Sequence, residues 1–243
     1  MKSNYTKFYE RAISKIGKLP VDKSTFCPLP FTHVSTMPQG EIKLCCRGQP
    51  PKDGRNPNIA DEGFDLKEYW NSEYMNQVRD SLLLGEKIPQ CRNCWKMEAQ
   101  DIVSLRLNRL TDMMDQDAAR KNVIQYLEHR EIDFKIPLLE LKLSNVCNFK
   151  CRMCGEQLSS SWEAEKKKHN MWSIENQPFM QPTVKQKMVK FQRTVVEPEF
   201  KKAISDGIVE EIYWVGGEPL MYDIHWWALK EMVANGSAKN CHL

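Results

Sequence analysis

The sequence lacks the features of a membrane or secreted protein. Its first residues, MKSNYTK, contain no apolar stretch of the signal-peptide kind. No apolar run approaches the roughly 18 residues needed to span a bilayer. The net charge of +3 on 243 residues gives no electrostatic basis for binding nucleic acid. We therefore expect a cytoplasmic protein with neither a membrane nor a nucleic-acid partner.

Neither core-forming residues nor cysteines are scarce. Hydrophobic residues make up 41% of the chain and charged residues 28%, so the chain can bury a core in one large domain or two small ones. The nine cysteines are an odd number. In a reducing cytoplasm we expect them to be ligands of a metal or a cluster rather than disulfide partners.

The C-terminal part of the sequence has the alternating pattern of an α/β fold. Strand-like runs at residues 137–143 and 208–215 flank a long crossover, and residues 223–234 follow with helical periodicity. This order predicts a parallel sheet flanked by helices. The last four residues, NCHL, read as the start of another strand, so we expect a truncated sequence.

The N-terminal part predicts a small α+β region. Helical spacing covers residues 5–16, and strand-like runs at 31–37 and 41–45 flank a hairpin signal. Residues 64–84 are helical in pattern, with a break near Asn71. The expected divisions are a cluster-binding domain at residues 1–100, a helical linker at 101–133 and part of a barrel at 134–243.

Three cysteines stand at C-x3-C-x2-C spacing directly after the first strand-like run of the C-terminal part. They are Cys147, Cys151 and Cys154. Three thiolates from one tight loop can hold three irons of a cubane 4Fe–4S cluster, which normally takes four cysteines. The fourth iron is then open, as a catalytic zinc keeps one position free. The spacing therefore predicts a cluster that can bind a substrate or a cofactor.

The next strand-like run ends in Gly216-Gly217-Glu218-Pro219. Together with the three-cysteine loop, this GGEP motif resembles the radical S-adenosylmethionine (SAM) enzymes, in which such motifs follow the first two barrel strands. The resemblance implies a partial (β/α) barrel, truncated here after about three strands and preceded by a small α+β cluster-binding domain. It also implies that the catalytic 4Fe–4S cluster binds SAM and cleaves it reductively to a 5′-deoxyadenosyl radical, which abstracts hydrogen from a substrate.

The resemblance assigns further site residues. Residues 216–219 are expected to lie against the methionine part of SAM, where two glycines permit close backbone approach and Glu218 or backbone carbonyls meet the ammonium. Met153 occupies a position that is often aromatic in the family and packs near adenine. No catalytic residue is assigned beyond the cluster loop. The alternatives are a simple turn at GGEP and half of a zinc site at Cys151 and Cys154.

A second set of cysteines lies nearer the N-terminus, at Cys27, Cys45, Cys91 and Cys94. With its hairpin before Cys45 and its helix before the CxxC pair, this set resembles the twitch and SPASM modules attached to many radical SAM enzymes. The resemblance implies a second, auxiliary 4Fe–4S cluster on these four cysteines. The order differs from the usual one, because such modules commonly follow the barrel. The alternative is a four-cysteine zinc site.

Cys46 directly follows Cys45 in the sequence. Successive residues of a strand face opposite sides, and the spacing from Gly40 favours Cys45 as the ligand. We expect Cys46 to be a small apolar filler.

The expected function is that of a radical SAM enzyme supplied by an external electron donor. Enzymes with twitch or SPASM modules often modify peptides or proteins, and some act on small molecules. The alternative is a non-catalytic zinc- or cluster-binding interaction protein. A pure electron carrier fits less well, because the three-cysteine loop and GGEP argue against it.

Overall fold

The computed structural model describes residues 3–37, 41–51, 54–59, 61–134, 138–142, 144–171, 181–207, 209 and 211–241. The chain forms a helix-rich α/β fold with a small sheet, which agrees with the α/β class that the sequence predicts. It divides into two compact units. The first unit consists of Met1–Val34, Lys43–Asn56 and Asp65–Pro137, and the second of Ser35–Ile42, Pro57–Phe64 and Leu138–Leu243.

The first unit is helical in its described part. Its α-helices are α1 (Asn4–Ser14), α2 (Leu29–Thr32), α3 (Leu66–Trp70), α4 (Glu73–Leu83), α5 (Arg92–Glu98), α6 (Leu105–Met113) and α7 (Asp117–His129). Several begin at a side-chain cap, in which an oxygen accepts a hydrogen bond from the backbone N–H three residues ahead. Ser72 caps α4 in this way, so the expected break near Asn71 is confirmed.

The core of the first unit encloses a charged side chain among aromatic rings. Arg79 is fully buried, and its guanidinium carbon lies 4.8 Å from the ring centre of Trp70 and 5.4 Å from that of Tyr126. Its Nε donates to the carbonyl oxygen of Pro30 at 2.9 Å. Stacking on aromatic faces and a backbone acceptor thus compensate for the buried charge.

The segment expected as a linker, residues 101–133, lies inside the first unit. Helix α6 packs on α1, and α7 packs on α2. The boundaries of the two compact units therefore differ from the expected domain boundaries, and the expected ranges stay a prediction.

The second unit is built around the sheet. The strands are β1 (His33–Thr36), β2 (Ile42–Lys43), β3 (Leu138–Leu141) and β4 (Glu211–Trp214), in the order β2-β1-β3-β4, and the division between the units falls within β1 and β2. The described α-helices of this unit are α8 (Ser160–Lys168), α9 (Pro182–Phe191), α10 (Glu197–Ser205) and α11 (Asp223–Ala234). No helix in the described part of the chain is both long and apolar enough to cross a membrane.

Strands β3 and β4 are parallel neighbours, as the alternating pattern predicts. Leu138 lies opposite Glu211, and Leu141 lies opposite Trp214. An apolar cluster joins Ile212 of β4 to α10 and α11 through buried residues such as Phe200 and Ala228. Because parallel strands end at the same edge of a sheet, the segments that follow β3 and β4 begin side by side.

Two local expectations need correction. Residues 31 and 32 belong to α2 rather than to a strand, because Pro30 near the helix start supplies a helical φ where no N–H donor is needed. Asn240 ends a short 3-10 helix instead of starting a strand. The hairpin turn at 38–40 and the last two residues lie outside the described residues.

Candidate metal centres

The four N-terminal cysteines line one pocket of the first unit. Cys27 precedes α2, Cys45 follows β2, and Cys91 and Cys94 lie at the start of α5. The remaining wall of the pocket is formed by Leu29, Arg47, Gly48, Gln90, Trp95, Leu105 and Arg106. Three segments that are distant in sequence therefore bring their thiols to the same space.

Burial dominates the chemistry of these thiols. It raises the pKa of Cys27 to about 12, although a hydrogen bond from the backbone N–H of Leu29 opposes the shift. It also raises the pKa of Cys45, where the backbone N–H of Arg47 opposes it. Burial raises the pKa of Cys94, against hydrogen bonds from the backbone N–H of Arg106 and from a nearby serine side chain.

The thiols also perturb one another. After burial, the next causes that raise the pKa of Cys91 are the charges of Cys27, Cys45 and Cys94. The four groups are thus close enough that ionising one opposes ionising the next. A bound cation or cluster removes this cost, because the thiolate is the ligand. Sulfur ligands together with backbone N–H donors match the donor set of an iron–sulfur centre.

Among the described residues, no three or more His, Cys, Asp or Glu side chains are grouped closely enough to share a single metal ion. A cubane does not require such grouping, because each of its irons takes its own thiolate.

Cys46 does not behave as expected. Its side chain is exposed, so it does not fill the core, whereas Cys45 is turned into the pocket. The reason is that β2 ends at Lys43, and Cys45 already lies in a turn that the hydrogen bond from the Gly48 N–H to the Cys45 carbonyl closes at 2.8 Å.

Sequence reasoning did not identify the part of the pocket wall that the start of α6 forms. Ser104 and Arg106 lie in the segment expected as a linker, and both are buried. A serine cap and an arginine in an amphipathic helix normally indicate a helix start that is exposed to solvent. Here the tertiary structure buries the start of α6 beside the cysteines. No spacing pattern in the sequence points to it.

The second cysteine set is more exposed. Cys151 is exposed, and Cys147 and Cys154 are partly buried in the loop between β3 and α8. Burial raises the pKa of Cys154, followed by the charges of Cys151 and Cys147, so the three thiols influence one another.

Hydrogen bonds from the start of α8 hold this loop. The hydroxyl of Ser159 donates to the Phe149 carbonyl at 2.6 Å, and the hydroxyls of Ser160 and Ser161 donate to the Cys147 carbonyl at 3.1 and 2.8 Å. The indole N–H of Trp162 donates to the carbonyl of Cys151 at 3.0 Å. The loop backbone is therefore fixed by neighbouring side chains rather than by burial of the cysteines.

The GGEP segment packs against the chain that enters this loop. The backbone N–H of Glu218 donates to the carbonyl of Val146 at 2.8 Å. The Tyr222 hydroxyl lies 3.1 Å from the carbonyl of Ser144 and 3.0 Å from that of Gly216. The structure thus brings the two motifs of the C-terminal region together at one edge of the sheet.

The two glycines are required by the chain's own backbone. Both have positive φ, +84° at Gly216 and +63° at Gly217. A Cβ on Gly217 would collide with the Val146 carbonyl and the Tyr222 hydroxyl, and one on Gly216 would lie 3.1 Å from the Cβ of Lys142. The two glycines thus permit a close approach between two segments of this protein, and the expected contact with SAM stays a prediction.

The other expected site residues are at least partly accessible to solvent. The Glu218 carboxylate accepts from the backbone N–H of Leu220 at 3.2 Å, and Pro219 begins the short 3-10 helix Pro219–Met221. Met153 is 94% exposed. Further exposed apolar side chains nearby in these segments are Val146, Phe149, Leu220, Met221 and Trp226.

A buried ion pair lies beneath the glycines. The Lys142 ammonium contacts the Glu140 carboxylate and donates to the hydroxyl of Ser35 at 3.2 Å. Lys142 and Glu140 are 5% and 4% exposed. As alternate residues along the chain, they point to the same face of the sheet as Leu138.

A comparison with known protein families matches residues 27–95 to the SPASM iron–sulfur cluster-binding domain. The matched segment begins at the first pocket cysteine and ends one residue after the last. Part of the chain is therefore a SPASM domain, which confirms this expectation, and SPASM domains are typical of radical SAM enzymes. No curated protein and no solved structure gave a match.

Proposed function

We propose that this protein is a radical SAM enzyme with two 4Fe–4S clusters, one catalytic and one auxiliary. The observation that supports the proposal most is the hydrogen bond between the Glu218 N–H and the Val146 carbonyl, which joins GGEP to the cysteine loop after two parallel strands. The SPASM domain supports the same proposal independently, because it is typical of these enzymes.

In this proposal, Cys147, Cys151 and Cys154 hold the catalytic cluster. The chemistry that this group supplies when bound is reductive cleavage of SAM to a 5′-deoxyadenosyl radical, which abstracts hydrogen from the substrate. Three thiols fit the role because they leave one iron without a protein ligand. The exposure of Cys151 favours it too, since SAM has to reach that iron.

The residues around the loop orient SAM. Hydroxyl hydrogen bonds from Ser159, Ser160 and Ser161 fix the loop backbone before any cofactor binds, which lowers the cost of ordering it. Glu218 offers a carboxylate to the ammonium group of SAM. The exposed side chains of Phe149 and Met153 offer apolar surface for the adenosyl part and exclude water from it.

The four pocket cysteines hold the auxiliary cluster. Four thiolates saturate the four irons of a cubane, so this cluster cannot chelate SAM. Its role in the proposal is electron relay and support of the face on which the substrate binds. A peptide or protein substrate and an external electron donor follow from the resemblance alone and stay predictions.

The proposal is tested on anaerobically reconstituted full-length protein. We expect about eight irons, two cubanes of four each, and 5′-deoxyadenosine formation from SAM under reducing conditions. Replacing Cys147, Cys151 and Cys154 with alanine should leave about four irons and abolish cleavage. Cys46→Ala is the matched control, because it removes a thiol beside a pocket ligand, and it should retain both properties. Unchanged cleavage in the triple variant, or colourless protein containing zinc, would contradict the proposal.

A further inference from the structure

Arg106 supplies a buried positive charge to the wall of the four-cysteine pocket. It lies in the first turn of α6, outside the segment matched to the SPASM domain, and its side chain is 1% exposed. Arg106 lines the pocket, whereas Glu98, its ionic partner, does not. A cluster bound by the four cysteines would therefore be closer to the cation than to the anion.

The guanidinium of Arg106 is held on several sides. Its Nε and Nη2 donate to the two oxygens of Glu98 at 3.0 and 2.5 Å, and its Nη1 donates to the carbonyl of Phe26 at 3.1 Å. Its central carbon lies 5.3 Å from the ring centre of Trp95. Phe26 and Trp95 each adjoin a cysteine of the pocket. The orientation of the cation is therefore fixed relative to Cys27 and Cys94.

Glu98 is fixed in turn by a second donor. The Ser104 hydroxyl donates to its Oε1 at 2.5 Å while accepting from the backbone N–H of Leu107 at 3.2 Å. The carboxylate side chain is 12% exposed. The guanidinium of Arg106 and the carboxylate of Glu98 are thus both held in defined positions, and only Arg106 lines the pocket.

A buried charge acts on whatever gains or loses an electron beside it. Reduction of a cluster adds one negative charge, and charge–charge interactions in a protein interior are screened far less than in water. A nearby cation stabilises the reduced form and raises the reduction potential, whereas an anion lowers it. Arg106 lines the same pocket as the four cysteines, so its charge would act on a cluster there at short range.

We propose that Arg106 and Glu98 form an opposed charge pair that sets the reduction potential of the auxiliary cluster, Arg106 raising it and Glu98 lowering it. This inference rests on the proposed function, in which the four cysteines hold that cluster. Arg106 acts on the cluster through space and is a positioning residue, not a ligand. Its effect differs in sign from that of its partner, which a purely structural role does not predict.

The test is a redox titration followed by electron paramagnetic resonance. It uses the full-length chain in which Cys147, Cys151 and Cys154 are alanine, so that only the auxiliary cluster contributes. At the parent midpoint potential, Arg106→Gln should lower the ratio of reduced to oxidised cluster at least tenfold, which is 59 mV for one electron. Glu98→Gln should raise that ratio. Arg106→Lys keeps the charge and should stay close to the parent.

Arg79→Gln is the matched control. Arg79 is an equally buried arginine of the same unit, but it does not line the pocket, so its loss should leave the potential unchanged. Shifts of the same sign in Arg106→Gln and Glu98→Gln, or no shift at full iron content, would overturn the inference. If Arg106→Gln does not retain iron, the reduction potential of Glu98→Gln is the deciding measurement. A raised potential supports the charge pair, and an unchanged potential refutes it. A parent that binds no iron would instead refute the auxiliary cluster, and the inference with it.

Discussion

The two cysteine sets of this protein are built in opposite ways. In the first unit, four thiols from three separate segments line a pocket, and Cys27 among them is 8% exposed. In the second unit, three thiols lie on one short loop, and Cys151 is exposed. Four thiols that line one pocket suit a saturated centre that exchanges electrons, whereas three thiols on one more exposed loop suit a centre that another molecule must reach.

The difference extends to what holds each set in place. The pocket depends on side-chain packing and a buried ion pair between α5 and α6, so its geometry depends on the core of the first unit. The loop depends on hydroxyl hydrogen bonds to its backbone and on two glycines that let GGEP approach. We therefore expect changes near the pocket to affect stability and potential, and changes near the loop to affect SAM cleavage.

The largest expected effect comes from removing pocket ligands. The Cys91→Ala, Cys94→Ala double variant should fall from about eight irons to about four and lose turnover of the true substrate. It should retain some SAM cleavage without substrate, because the loop cysteines are untouched. Iron and sulfide analysis with chromatography of 5′-deoxyadenosine measures both properties. Loss of all iron would show that neither centre forms without the other, and it would contradict the contrast between the two cysteine sets.

Gly217→Ala should be the next largest change, and it acts on the loop side. The new Cβ would collide with the Val146 carbonyl and the Tyr222 hydroxyl, in addition to the cost of about 1–2 kcal/mol for a left-handed backbone. We expect separation of GGEP from the cysteine loop and loss of SAM cleavage, measured together with urea unfolding. Gly236→Ala is the matched control, because it has φ +77° and no atom within 4 Å of the new Cβ. Equal effects of the two variants would show that backbone strain alone is responsible.

The expected ligand residues follow from the sequence alone, but the residues that surround them do not. Cysteine spacing and hydrophobic periodicity are local signals, and they sufficed to single out both cysteine sets and to predict the parallel pair β3–β4 and the helix over residues 223–234. Arg106 and Glu98 become neighbours of the thiols only when α5 and α6 pack, and no local pattern encodes that contact. The contacts of Gly217 are not encoded locally either, because two of the atoms nearest to an added Cβ are the carbonyl oxygens of Val146 and Ser144, about 70 residues earlier in the chain.

The buried pair beneath GGEP should matter more for stability than an exposed pair of the same charges. Lys142→Met leaves the Glu140 carboxylate buried without this ammonium, which typically costs about 3–5 kcal/mol of unfolding free energy. Adding Glu140→Gln should recover much of the loss. Lys202→Met removes an exposed ammonium paired with Asp206 on α10 and should change the denaturation midpoint little. Equal losses of unfolding free energy in both lysine variants would show that the buried pair stabilises the protein no more than the exposed pair does.

The smallest expected effects come from a matched pair of serine caps, one behind each centre. Ser104 caps α6 through the Leu107 N–H and donates to Glu98, and Ser159 caps α8 through the Trp162 N–H and donates to the carbonyl of Phe149. Each alanine variant should lose about 1 kcal/mol of stability, the typical value of an N-cap. The readouts should nevertheless diverge. Ser159→Ala frees the loop backbone and should slow SAM cleavage, whereas Ser104→Ala removes a donor from Glu98 and should leave cleavage unchanged while shifting the auxiliary potential. If Ser104→Ala slowed cleavage as much as Ser159→Ala at equal stability, the division of roles between the two cysteine sets would be wrong.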